Sequence, residues 1–169
     1  GIIVFAFGMG GPLANFAGLL HMVMHSLTKS AIFFAVGHIA QVKGTQKIAD
    51  IRGLTESHPG LGWALVIGVV AIAGLPPLGI FMSEFLVVSS TFARHPFLAI
   101  PLVFGLLLAF GALLLRLTGV AFGEPRGSTA PVEASYVPMY SHLALVFAAG
   151  IYLPAPLVSW FQHVADILG

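Results

Sequence analysis

Three stretches of this 169-residue sequence, residues 16–40, 63–92 and 96–122, carry one formal charge apiece: Lys29, Glu84 and Arg116. A membrane-spanning α-helix needs about 20 apolar residues, so each stretch is long enough to cross a bilayer. Charged residues make up 8% of the chain and hydrophobic ones 58%, whereas a soluble domain carries roughly 25% charged residues. That polar surface is too small for a soluble enzyme. The formal net charge of +1 leaves no electrostatic footprint for nucleic acid. With no cysteine, disulfides, Cys-ligated zinc and Cys-held iron–sulfur clusters are excluded. The expected fold class is all-α, a polytopic transmembrane helix bundle with the lipid bilayer as its solvent.

The spans follow from the breakers. Residues 1–9 read as the end of one helix, and Gly8-Met9-Gly10-Gly11-Pro12 as a turn. Residues 16–40 form the next span. Residues 41–60 hold Lys43, Lys47, Asp50, Arg52 and Glu56 and read as an aqueous loop. As one straight helix, 63–92 would measure about 45 Å, too long for a core of about 30 Å. Its centre is Gly74-Leu75-Pro76-Pro77-Leu78-Gly79, and each proline removes a backbone donor and clashes one turn back. One span broken at 74–79 is therefore expected, with Gly74, Pro76, Pro77 and Gly79 forming the break. Residues 97–122 and 140–157 complete the set, Pro154 and Pro156 marking the exit of the last span, and 159–168 form an interfacial tail. This count places the basic loops 41–60 and 123–138 on one side, which the positive-inside rule makes cytoplasmic. Gly1 is not a start methionine and lies in an apolar run, so the sequence reads as the C-terminal portion of one longer transmembrane domain.

A charge at mid-bilayer costs about 2.5–3.5 kcal/mol on insertion scales, so each one there needs a reason. His21, His25 and Lys29 follow at i, i+4 and i+8, a ladder along one helix face with rungs about 6 Å apart. Lys29 falls near the middle of its span, too deep to snorkel easily. A lysine at that depth is either a proton exchanger or half of an ion pair made for packing. Each histidine alone is an ordinary helix-packing residue; three titratable groups in register favour a relay. Glu84 lies a few residues into the second half-helix, where freed backbone donors favour a carboxylate. The alternative is a glutamate that merely caps the break. The spacing of His21 and His25 is compatible with zinc, but no third ligand is evident, and a haem reading through His25 and His38 lacks facing histidines. No metal and no cofactor is expected. His58, His95, His142, His163, Arg94 and Arg116 read as interfacial anchors.

His21-x-x-x-His25-x-x-x-Lys29 leads into Ala-Ile-Phe-Phe-Ala-Val-Gly37, then Ile48-Ala-Asp-Ile-Arg-Gly-Leu54, then Ala73-Gly-Leu-Pro-Pro-Leu-Gly-Ile-Phe-Met-Ser-Glu-Phe85. In this order the segments resemble the proton-translocating antiporter-type membrane subunits. That family includes the large membrane subunits of complex I, the multisubunit sodium/proton antiporters and the membrane arms of hydrogenase complexes. Phe122-Gly-Glu-Pro125 and Gly150-Ile-Tyr-Leu-Pro-Ala-Pro-Leu157 most resemble the hydrogenase-4, formate-hydrogenlyase type. The resemblance implies a proton pathway of His21, His25, Lys29 and Glu84, with some relatives carrying lysine in place of Glu84. It implies a subunit without a redox cofactor, whose partners are other membrane subunits and a peripheral redox arm. The family's first inverted repeat, with its glutamate–lysine pair, has no counterpart in this sequence. The competing readings are a structural membrane anchor without transport and a subunit of a cation/proton antiporter.

Overall fold

The computed structural model describes residues 1–131, 133 and 135–169. The helices are α1 (Ile2–Met9), α2 (Pro12–Lys43), α3 (Leu54–Ser57), α4 (Pro59–Ile72), α5 (Gly79–Arg94), α6 (Pro96–Ala121), α7 (Val137–Ile151) and α8 (Ala155–Leu168). Among the described residues there is no strand, only an isolated antiparallel bridge between Arg52 and Arg126. Prolines set several helix starts: Pro12, Pro59 and Pro96 stand in the first turn, where the missing N–H costs nothing. At the far end of α2, Gly44 takes φ +66° and donates its N–H to the Ala40 carbonyl at 3.0 Å, closing the helix.

The 32-residue α2 is the axis of the bundle and packs against α1, α4, α5, α7 and α8. Its buried face is rich in small residues, including Ala14, Ala17, Gly18, Ala31 and Ala35. Small residues let helix backbones approach closely in a setting where the hydrophobic effect cannot hold helices together. Toward the C-terminal half of α2, Ala31, Ala35 and Ile39 share a core with Leu61, Ala64 and Leu117. Toward its N-terminal half, Leu20 and Met24 pack with Ile80 and Phe161.

Both α2 and α6 are long and apolar enough to span a membrane, and the bent pair α7–α8 also qualifies when taken as one span. Little of α6 is covered: Phe97, Ile100, Phe104, Leu107 and Leu115 all face outward. Such a surface belongs in lipid or against other membrane helices. The chain is an integral membrane protein.

The structure differs from the sequence reading at both ends of the bundle. The span read as 16–40 begins at Pro12 and runs to Lys43. The last span stops at Ile151 rather than near 157, and the chain turns by 80° through residues 152–154 before α8 begins. Pro154 explains the stop, since its ring would clash with the Gly150 carbonyl of a continuing helix. The tail read as interfacial is helix α8, and it packs on the bundle. Phe161 and Ala165 of α8 are buried, and the Gly169 carbonyl accepts from Asn15 Nδ2 at 2.9 Å and Gly11 N at 2.8 Å.

Between α4 and α5 lies the interruption, residues 73–78, and α7 packs on it at Gly150. A Cβ at position 150 would collide with the Pro77 carbonyl oxygen and lie 2.7 Å from the Leu78 carbonyl carbon. Backbone cannot yield as a flexible side chain can, so Gly150→Ala is expected to destabilise the subunit by about 1–3 kcal/mol. Gly105→Ala, whose Cβ would meet nothing within 4 Å, serves as the control. Thermal unfolding in detergent checks the pair: a lowered midpoint for the first and none for the second.

Candidate functional site

Where α4 ends, its last carbonyls are taken up by a tightening turn. Ala73 N donates to Val69 O at 2.9 Å, Gly74 N to Ala71 O at 3.1 Å and Leu75 N to Val70 O at 3.3 Å. The helix resumes at Gly79, with Phe81 N donating to Leu78 O at 3.0 Å. Glu84 is in the second turn of α5. Helical side chains lean toward the N-terminus, and Glu84 accordingly reaches back to the interruption. Its carboxylate occupies the space that a Cβ on Gly74 would need. Gly74 also has φ +74°, a conformation other residues avoid. The positive φ keeps position 74 a glycine, and the missing Cβ leaves room for the carboxylate at the break.

A cavity of about 720 Å³ opens between α1, α2, the interruption, α5 and α6. Its ionisable side chains are His21, His25 and Glu84, and Gly74 forms part of the same wall. The remaining lining is apolar, with Phe81, Phe85 and Phe110 the largest members. His21 and His25 lie one turn apart on α2, their ring centroids separated by 5.7 Å. His21 is only 3% exposed and its Nδ1 is 2.9 Å from Ser83 Oγ on α5. Two facing helices therefore hold a carboxylic acid and two imidazoles around one space, a set able to accept and release protons.

The other sequence-predicted residues are placed differently. Lys29 is half-buried on α2 and does not line the cavity. One further turn separates it from His25, about 6 Å of helix rise. Pro76 and Pro77 form the interruption without lining the cavity, and Gly79 starts α5 against the Met24 side chain. Among the described residues no group of three or more His, Asp or Glu is arranged to hold a metal ion.

Three residues matter more than the sequence indicated. Lys43, read as part of an aqueous loop, is 8% exposed. Its ammonium donates to Ser57 Oγ at 3.2 Å, to the Arg126 carbonyl at 3.0 Å and to the Ser128 carbonyl at 2.7 Å. His58, read as an anchor, is also buried, and its Nε2–H donates to the Ala130 carbonyl at 2.8 Å. The Arg52–Arg126 bridge and a bond from Thr55 Oγ1 to the Ala121 carbonyl join the same segments. The two basic loops thus form one packed cap at one end of the bundle. Ser83 is the other omission: it stands beside Glu84, and a face shared with Ile80, Val87, Ser90 and Thr91, all buried, was the available signal.

Residues 1–111 match the family model described as NADH:quinone oxidoreductase/Mrp antiporter, TM. The chain is 67% identical over 168 residues to a hydrogenase-4 component F homolog from Methylacidiphilum infernorum (isolate V4), covering 99% of this chain and 35% of that protein. It is 27% identical over 173 residues to a Na(+)/H(+) antiporter subunit from Alkalihalophilus pseudofirmus, with 98% and 34% covered. Respiratory complex I from Thermus thermophilus with bound NADH contains a chain that superposes with TM-score 0.82 at 26% identity, over 99% of this chain and 37% of that one. A chain of the Mrp complex from Dietzia sp. DQ12-45-1b superposes with TM-score 0.84 at 18% identity, over 98% and 40%, which shows a common fold. The chain spans about a third of the length of the curated relatives it matches. Helical architecture, interrupted helix and sequence match agree: the chain belongs to the NADH:quinone oxidoreductase/Mrp antiporter transmembrane family.

Proposed function

We propose that this chain is part of a proton-translocating membrane subunit of a redox-driven complex, of hydrogenase-4/formate hydrogenlyase or NADH:quinone oxidoreductase type. The observation that carries the reading is the single cavity in which His21, His25 and Glu84 meet at a helix interruption. Intramembrane ionisable groups are costly and persist where ions or protons move. Lys29 extends the histidine ladder by one turn along α2, and the four residues together form the pathway. The subunit holds no redox cofactor of its own. It works with other membrane subunits and a peripheral redox arm in the bacterial cytoplasmic membrane, and the 67% identity to a hydrogenase-4 component F homolog favours the hydrogenase-type assembly. The matches to Na(+)/H(+) antiporter proteins support a second reading, a subunit of a cation/proton antiporter.

The test is reconstitution of the complex containing the full-length subunit into sealed vesicles, with electron transfer started by adding donor. Acidification or alkalinisation of the lumen that tracks electron flow, and collapses with an uncoupler, is the expected result. Electron transfer with no proton movement would make the subunit a structural anchor. Proton movement driven by a sodium gradient without electron donor would establish the antiporter reading instead.

A further inference from the structure

The contact between His21 and Ser83 fixes more than packing. Ser83 Oγ lies 2.8 Å from the Ile80 carbonyl oxygen and 2.9 Å from His21 Nδ1. Two oxygens that close require a proton between them, and the hydroxyl has only one. That proton goes to Ile80. The hydroxyl therefore meets His21 as an acceptor, and Nδ1 must carry a hydrogen to donate to it. In the neutral ring the lone pair is then on Nε2. Among the described residues no side-chain nitrogen or oxygen is both sealed from solvent and without a partner. Among the described residues His21 Nε2 has no hydrogen-bond partner, and His21 lines the cavity with His25 and Glu84.

We infer that Ser83 is a positioning residue that makes His21 a one-sided proton carrier, loading and unloading at Nε2 alone. The inference rests on the proposed proton pathway for its relevance to transport. A proton arriving at Nε2 gives the imidazolium, whose Nδ1–H still donates to Ser83 Oγ. Loss of a proton from Nε2 restores the starting tautomer, with no ring flip. Passage through the ring would require Nδ1 to hand its proton to Ser83 while the serine passed its own to a peptide carbonyl, which is a very weak base. The Ser83 side of His21 is thus closed to protons, and traffic is confined to the cavity shared with His25 and Glu84. Ser83 is 0% exposed, so its hydroxyl is closed to bulk solvent. Its neighbour in sequence, Glu84, is on the same turn of α5, so the serine also ties the imidazole to the helix that carries the carboxylate.

Nitrogen-15 NMR of the histidine-labelled full-length subunit in its complex reads the tautomer directly, with His21→Asn used to assign the signal. In the neutral ring the parent is expected to show a protonated Nδ1 and an unprotonated Nε2. Ser83→Ala is expected to give Nε2–H or a mixture and to lower proton flux several-fold; Ser83→Thr, which keeps the hydroxyl, is expected to restore both. A parent ring with Nε2–H overturns the inference, and this reading does not depend on either Ser83 variant folding. So does an altered tautomer in Ser83→Ala with flux unchanged at normal complex abundance. The underlying transport reading fails separately, by absence of proton flux in the parent.

Discussion

Replacing Glu84 by glutamine is expected to lower redox-driven proton flux by about 10²-fold or more, the scale on which a proton-transferring side chain contributes. The assembled complex is expected to remain as stable as the parent, or slightly more so. Glutamine keeps the shape of the side chain against Gly74, and it cannot ionise. Removing an ionisable group from the membrane interior removes a cost rather than a support. Glu84→Asp retains a titrating group but withdraws it by one methylene from the interruption, so partial flux is expected. A glutamate that only capped the break would give the opposite order, aspartate destabilising the fold and flux falling only as the complex is lost. Vesicle pumping measured alongside complex abundance on native gels separates the two.

Lys29→Met is expected to reduce flux to the background leak while leaving assembly intact. Methionine approximates the bulk of the lysine stem and deletes only the charged head. Lys29 lies one turn beyond His25 and outside the cavity, so its loss would cut the pathway between the cavity and the rest of α2 without disturbing the walls. Lys29→Arg is expected to fail as well, because a guanidinium stays protonated and cannot hand its proton on. Normal pumping by the methionine variant would return Lys29 to a packing role.

Much of this was legible because the membrane makes polar residues conspicuous. His21, His25, Lys29 and Glu84 stand out in apolar runs, and helix periodicity alone puts the first three on one face. The double proline and its flanking glycines located the interruption between α4 and α5 to within a residue or so. Less legible were features set by distant partners. Lys43 looks like a loop residue because its three acceptors, Ser57 and the carbonyls of Arg126 and Ser128, are supplied by segments far along the chain. Pro154 announces the end of α7, but the direction α8 takes is set by the burial of Phe161 and Ala165 and by its packing on α2, which no local pattern announces. Serine next to glutamate carries little signal by itself. Its role appears only when α2 and α5 bring its hydroxyl to His21. Nor could periodicity show that Lys29, in register with the histidines, lies beyond the cavity that they line.

As a proton carrier, Glu84 changes its protonation state while the complex works. Redox-triggered infrared difference spectroscopy of the complex, comparing parent with Glu84→Gln, reads this at the group itself. The expected result is a band in the protonated-carboxyl stretching region that changes on electron transfer and is missing from the glutamine variant. Superimposable difference spectra from the two, with electron transfer intact in both, would contradict it.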